Sequence, residues 1–400
     1  MIELVISILQ LPFLVVGFFF TIYLLFITIA PMVIWKSKNQ GLKEKRKKFA
    51  IIIPAHNEEK VIDATLRSAK QISYPTDLFD LIVVADNCTD RTAKIALANG
   101  AIVFERFDSN RRGKGYALNW IIPQVLERLP KYEACVFVDA DSIIKPSFLE
   151  EMNISLQKGQ RIIQGSDLVL DNSNSWRVQL MLIAFALQNY VRPLGKSRLG
   201  FSTPLKGNGM CFGAEVLRTM KWDETSLGED LDMGMELIAA GEKIFFNQDA
   251  VVYASMPTHA DSAATQRTRW EGGRFASMRT KVPPILREAW KKKSIYIFEA
   301  AVDAAFPPLA ILFLSSVVFV FLNVLFLKFG FLSTNVLVFA WLLIIAIIVI
   351  HCVFGMIIAR VHPRNLLAFL YVPRFLIWKL GVYGTMLSGK AAKNWVRTER

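Results

Sequence analysis

A chain of 400 residues with 53% apolar side chains has room for one large domain or two small ones. Its 47 Lys and Arg against 34 Asp and Glu leave a net charge of +13, but no nucleic-acid reader motif accompanies the bases, and no nucleic-acid partner is expected. The four cysteines, Cys88, Cys135, Cys211 and Cys352, lack C-x-x-C spacing, which argues against a zinc site.

The apolar residues concentrate at the two ends. From about Leu11 to Ile34 the chain carries no charge, long enough for a helix to cross roughly 30 Å of hydrocarbon. No A-x-A-like cleavage site follows, so the stretch reads as an anchor rather than a signal peptide. Lys36, Lys38, Lys43, Lys45, Arg46, Lys47 and Lys48 come next, placed to meet anionic headgroups. Residues 1–48 are therefore expected to form an anchor and basic linker.

From Phe49 strand and helix signals alternate. Strands are expected at Phe49–Ile53, Leu81–Val84, Ala101–Glu105, Cys135–Val138 and Arg161–Gln164, and helices over Glu58–Gln71, Asp90–Asn99, Lys114–Leu129 and Pro146–Gln157. Short apolar strands separated by helices predict an α/β unit over 49–280, its mostly parallel sheet covered on both faces. Ligands of such sheets bind beyond the carboxyl ends of the strands. Three of those ends carry polar groups: Pro54–Glu58, Asp86, and Asp139-Ala140-Asp141. A D-x-D closing a strand can aim both carboxylates the same way, and two hard oxygen ligands suit Mg²⁺ or Mn²⁺ carrying a nucleotide diphosphate. The first strand is followed by neither G-x-G-x-x-G nor a Walker A sequence, which argues against dinucleotide and P-loop enzymes. Arg112-Gly113-Lys114-Gly115 opens a helix, where backbone N–H groups and a lysine can meet phosphate, although a turn and cap accounts for it equally well. Asp86 has a bland alternative too, as a helix cap, and so do Glu229 and Asp230, as acids complementing a helix dipole.

Beyond the sheet, Lys281–Tyr296 mixes bases with Val, Pro, Ile, Leu and Trp, and 281–303 is expected to lie along the headgroups. Ala304–Leu327 and Val336–Ile358 are again long enough to span. Arg287, Lys291, Lys292 and Lys293 precede the first of these, Arg360 and Arg364 follow the second, and the connector Lys328–Asn335 is nearly neutral. The positive-inside rule then places residues from about 36 to 300, and the tail, in the cytoplasm. A last apolar stretch, Leu366–Leu387, contains Arg374 and Lys379, and crossing there would export Lys390, Lys393, Arg397 and Arg400. An interfacial or partly inserted helix is the expectation. The apolar spans lack the ionisable residues expected along a transport path, which disfavours a transporter.

Together Pro54–Glu58, Val84–Asp90, Arg112–Leu118, Asp139–Asp141, Gly228-Glu229-Asp230 and Gln266–Trp270 resemble membrane-bound family 2 glycosyltransferases, the group of cellulose, hyaluronan and chitin synthases. The Asp-Asn-Cys-Thr-Asp and Arg-Gly-Lys-Gly-Tyr-Ala-Leu stretches are most similar to bacterial exopolysaccharide glycosyltransferases. The resemblance covers about residues 49–280 and implies a GT-A fold and transfer from a nucleotide-activated sugar. It implies that Asp86 contacts the base, that Asn57 and Glu58 sit near the nucleoside, and that Lys114 lies near the diphosphate. Asp139 and Asp141 would hold the diphosphate with Mg²⁺ or Mn²⁺. Asp230 would be the general base on the acceptor hydroxyl, with Glu229 beside it. Gln266, Arg269 and Trp270 would stand on the helix that closes the site at the membrane, while Arg267, out of phase with them, is expected to face solvent or lipid phosphate. The expected partners are a nucleotide-sugar donor, a glycan or lipid-linked acceptor, membrane lipids, and export or regulatory subunits. The expected reaction builds a β-linked extracellular or capsular polysaccharide at the inner membrane of a bacterium, or adds one sugar to a lipid acceptor.

Overall fold

The computed structural model describes residues 1–34, 45–128, 131–173, 175–220, 228–257 and 260–387. Lys36, Lys38 and Lys43 of the basic linker and Lys390, Lys393, Arg397 and Arg400 of the tail lie outside these residues. The chain begins with a helix, α1 (Ile2–Val33), and then alternates β1 (Phe49–Ala55), α2 (Ile62–Lys70), β2 (Phe79–Asp86), α3 (Thr92–Ala98), β3 (Ile102–Arg106), α4 (Lys114–Arg128) and β4 (Ala134–Phe137). It continues through β5 (Ser142–Ile144), α5 (Phe148–Gln157), β6 (Ile162–Val169), α6 (Trp176–Phe185), a π-helical turn Ala186–Val191 and α7 (Arg192–Arg198). Then come β7 (Met210–Gly213), α8 (Ala214–Leu217), α9 (Glu229–Ala240), β8 (Ile244–Ala254), α10 (Ala260–Thr280), α11 (Val282–Lys292) and α12 (Ile295–Ala305). The chain ends with α13 (Leu309–Lys328), α14 (Val336–Ile358), a 3₁₀ stretch Pro363–Tyr371 and α15 (Val372–Leu387).

The eight strands form one sheet in the order β3-β2-β1-β4-β7-β6-β8-β5. The β1/β2, β1/β4, β2/β3 and β6/β8 pairs run parallel, while β7 runs antiparallel to both neighbours and β5 antiparallel to β8. All five expected strands are present, and β5, β7 and β8 are additional. Side-chain alternation divides the central strands between two cores. Ala50, Ile52, Cys135 and Phe137 enter one core with α4 and α9, whereas Phe49, Ile51, Ile53 and Val136 enter the other with α2 and α5. Burial on both faces explains why β1 reads as an unbroken apolar run.

Among the described residues four helical segments are long and apolar enough to cross a membrane: Ile2–Val33, Leu309–Lys328, Val336–Ile358 and Pro363–Gly384. The first three pack together. Gln10 and Asn323 exchange two amide hydrogen bonds of 3.0 and 2.9 Å, and Trp341 Nε1 donates to Gln10 Oε1 at 2.9 Å. The Thr28 hydroxyl meets His351 Nδ1 at 2.7 Å, tying α1 to α14. Such bonds between apolar helices are worth about 0.6 kcal/mol each and fix the register of the bundle. The fourth segment packs on the α/β unit instead. Tyr371 stacks on Trp176 at 5.7 Å between centroids, and Lys379 pairs with Glu271 of α10 at 2.9 Å, while Leu367, Leu370 and Ile377 point outward. The segment thus has one side bound to protein and one bare apolar side.

Candidate active site

Strand ends build the site. Asp139, two residues beyond β4, donates its N–H to Asn208 Oδ1 at 3.1 Å. Asn208 in turn donates through Nδ2 to Ser142 Oγ at 3.0 Å and to Asp167 Oδ1 at 2.9 Å. This places the loop before β7 directly under Asp139-Ala140-Asp141. Gly207 and Gly209 in that loop have φ of +77° and +66°, values that side-chain-bearing residues rarely adopt. Lys114 Nζ, at the start of α4, donates at 2.5 Å both to Asp139 Oδ1 and to the Gly207 carbonyl. Asp230 enters from the first turn of α9, and its Oδ2 would lie 3.1 Å from a Cβ built on Gly207. The lysine thus stands among Asp139, Glu229 and Asp230. Burial alone would push it down, but Asp139 and Glu229 outweigh that and hold it above its usual range.

The acids respond to the same crowding. Burial, then Asp230, pushes Glu229 up to about 7. Burial also raises Asp230, against the pull of Lys114 and Lys206. Asp167 is held well above the carboxylate range by burial and by Asp139 and Asp141.

A cavity of about 290 Å³ opens among these groups. Asp139, Asp141 and Asp230 line it, as do Gln266, Arg269 and Trp270 of α10, so residues far apart in sequence meet as expected. Arg267, expected to face solvent or lipid, lines the cavity as well, with its guanidinium 5.7 Å from the Trp270 ring. Arg267 is therefore on the cavity side of α10 together with Gln266, Arg269, Trp270, Glu271 and Arg274.

Asn57, Glu58 and Asp86 gather at the adjacent ends of β1 and β2, and none of the three is among the residues lining the cavity. Asn57 Oδ1 accepts from Thr89 N–H at 2.7 Å, Glu58 N–H donates to Thr92 Oγ1 at 2.8 Å, and the His56 ring meets the Asp86 carbonyl at 2.7 Å. Asp86 is committed within the protein: Arg106 Nη1 donates to its Oδ1 at 2.6 Å, and both side chains are only 7% exposed. The Asp86 carboxylate therefore reaches any ligand as half of an ion pair, with Arg106 also holding Asp108 and the Arg111 carbonyl.

Sequence reading missed Arg106, Asp167, Lys206 and the whole wall formed by Gln188, Asn189, Arg192 and Lys196. The available signal was a polar run, Gln188-Asn189, followed by Arg192, inside an otherwise apolar helix. There the π turn adds a residue to the helix and rotates those side chains toward the cavity. Asn189 Nδ2 anchors it to Asp167 Oδ2 at 3.2 Å.

Among the described residues no three His, Cys, Asp or Glu side chains group to hold a metal by themselves. Asp139 and Asp141 nevertheless offer hard oxygens facing one cavity. Mg²⁺ is commonly held in this way, by one or two carboxylates with substrate phosphates completing the shell.

Poly-beta-1,6-N-acetyl-D-glucosamine synthase of Staphylococcus epidermidis is 24% identical over 339 residues, 80% of this chain and 74% of that protein. The probable glycosyltransferase YdaM of Bacillus subtilis is 24% identical over 235 residues, and the beta-monoglucosyldiacylglycerol synthase of Nostoc is 25% identical over 234. The chain spans only 55% and 48% of those two proteins. In fold it resembles the mannosyltransferase PcManGT from Pyrobaculum calidifontis, solved with GDP-Man and Mn²⁺, at 15% identity and a TM-score of 0.52 over 91% of this chain and all of that one. The sheet and its covering helices have the GT-A arrangement. The sequence model described as "Glycosyltransferase like family 2" matches residues 46–273, more than half of the chain, which therefore belongs to that family of glycosyltransferases.

Proposed function

We propose that this enzyme transfers a sugar, with inversion, from a UDP-sugar to a growing β-linked extracellular or capsular polysaccharide. The observation that carries the reading is that Asp139, Asp141 and Asp230 line one cavity, while Lys114 bonds Asp139 and the Gly207 carbonyl next to Asp230. In the proposed reaction the acceptor oxygen attacks the anomeric carbon, its proton passes to Asp230, and the bond to the nucleoside diphosphate breaks on the opposite face. A sugar hydroxyl is a weak nucleophile, and such general-base help is worth about 10²–10⁴-fold. One base opposite the leaving group gives inversion. Lys114 and Arg269 are positioned to meet charge developing on the leaving diphosphate. Asp139 and Asp141 would hold a divalent ion, which when bound adds Lewis-acid stabilisation of that charge. Asn57, Glu58 and the Asp86–Arg106 pair would form the nucleoside end, and Trp270 would stack an acceptor sugar.

The proposed domain organisation is an anchor and linker over 1–48, a cytoplasmic catalytic unit over 49–280, an interfacial segment over 281–303, and membrane helices with a basic tail over 304–400. The enzyme would sit in the inner membrane of a bacterium. Similarity to the S. epidermidis synthase along most of the chain supports a polymer product. A second reading, transfer of one sugar to a lipid acceptor, is favoured by bases that line the cavity where the chain turns into α13.

The test is a panel of UDP-sugars with the purified protein in lipid and Mn²⁺ or Mg²⁺, following UDP release and product length together. A ladder of long products with one donor is expected. A single-sugar adduct would select the second reading, and no release with any donor would refute the UDP-sugar assignment.

A further inference from the structure

At the end of the cavity bounded by α7, α10 and the close of α12, four bases, Arg192, Lys196, Lys206 and Arg274, face three carboxylates: Glu271, which pairs with Lys379 of α15 at 2.9 Å, Glu299 and Asp303. Those carboxylates are already committed. Asp303 pairs with Arg192 and, at 2.9 Å, with Lys196; Glu299 pairs with Lys196 at 3.1 Å. Both also accept from the Tyr23 hydroxyl of α1, at 2.7 Å for Glu299 and 3.3 Å for Asp303. Among the described residues Lys206 and Arg274 form no ion pair, and Arg192 Nε is buried without a hydrogen-bond partner. Like charges buried together are costly without a counter-charge. Lys206 shows the strain: burial and then Arg192 push it down to about 8, and the same two causes push Arg274 down to about 10.

The location narrows the ligand. Arg192 lies over the Phe306 ring at 4.4 Å, and Arg274 Nη2 donates to the Phe306 carbonyl at 2.6 Å. Three residues later the chain enters α13, one of the membrane-length helices. On the other side α7 packs so closely on α1 that a Cβ at Gly195 would collide with the Ile27 carbonyl. The bases therefore cluster where apolar helices meet the polar cavity. Lys206 also neighbours Gly207, across which Lys114, Asp139 and Asp230 lie.

We propose that Arg192, Lys206 and Arg274 bind the phosphate of a membrane lipid that presents the acceptor to Asp230. The inference deepens, and rests on, the reading of this cavity as a sugar-transfer site. An uncharged glycan would leave these bases unanswered, whereas a phosphate supplies up to two negative charges and several acceptor oxygens at once. The donor's diphosphate has its own partners across Gly207.

The experiment is calorimetric titration of the purified full chain in detergent with dihexanoyl phosphatidic acid, dihexanoylglycerol and inorganic phosphate, and separately with UDP and Mn²⁺. Phosphatidic acid is expected to bind, dihexanoylglycerol to show no binding, and inorganic phosphate to bind at least about tenfold more weakly for want of the acyl chains. Lys206→Met should weaken phosphatidic acid about tenfold, the loss of one charged donor, with Lys206→Arg restoring it and UDP affinity unchanged in both. Parallel loss of UDP affinity would overturn the proposal by giving these bases to the donor. Equal binding of inorganic phosphate, or of dihexanoylglycerol, would overturn it by removing the lipid or the phosphate. The UDP titration also reads the donor assignment independently: lipid binding without UDP binding would sink that assignment and keep this one.

Discussion

Asp230→Asn separates catalysis from architecture. The substitution keeps the shape of the side chain and removes the charge. Asp230 sits on the first turn of α9, with its Oδ2 near Gly207 and Lys114 within reach of both. Lys114 retains Asp139 and the Gly207 carbonyl in the variant, so the nucleotide end should be preserved. If Asp230 accepts the acceptor proton, kcat should fall by about 10²–10⁴-fold, which is about 3–5 kcal/mol of transition-state stabilisation. Stability should move the other way. Burial raises the Asp230 carboxyl, so folding opposes its ionisation, and a neutral side chain removes that opposition. The expected result is UDP affinity within about threefold of the parent, a Tm equal to or above it, and turnover nearly abolished, the trade-off typical of catalytic charges. Coupled detection of UDP release, nucleotide titration and thermal unfolding on one preparation measure all three. Turnover within tenfold of the parent would refute the base assignment. A large drop in Tm would show that the carboxylate serves the fold.

Lys114→Met should weaken UDP binding at least about tenfold by removing a charged donor. Because Lys114 lowers both Glu229 and Asp230, its loss should also move the acid limb of the rate profile to higher pH; an unmoved limb would contradict the shared-cation geometry. In the parent enzyme activity should fall as pH drops through about 7, where Glu229 takes up a proton beside the base. Arg106→Met strands the buried Asp86 carboxylate and should cost about 3–5 kcal/mol, roughly 10 °C in Tm. The double variant Arg106→Met/Asp86→Leu should recover most of that loss, and no recovery would mean that Arg106 acts mainly through Asp108 and the Arg111 carbonyl. Gly195→Ala sets a methyl group against the Ile27 backbone, which cannot yield as a side chain can, and should lower thermal stability by about 1–3 kcal/mol. An unchanged Tm would show that α1 and α7 separate freely.

The sequence alone determined the strand-helix alternation, the apolar helices and the polar strand ends, because these are local. β1 and β4 are recognisable as short apolar runs buried on both faces, and α1, α13 and α14 as stretches long enough to span a bilayer. Asp139, Asp141, Asp230 and the Gln266–Trp270 helix were legible as motifs, and the fold brings them to one cavity. Tertiary structure alone decided what depends on contacts between distant segments. β7, only four residues long, pairs antiparallel with both neighbours, and β8 pairs with β6 across a register shift between Gly165 and Ser166, so neither place in the sheet is set by local pattern. The Asp86–Arg106 pair joins residues whose partnership exists only once β2 and β3 align. The wall of Arg192 and Lys196 depends on a π turn; the polar run Gln188-Asn189 marks the place in the sequence, but the direction in which those side chains turn is set only by the folded helix. Composition counted the bases as membrane signature, but only packing of α7, α10 and α12 showed that some of them turn inward. Charge is written in the sequence, whereas the field it makes depends on which charges the fold brings together and removes from water.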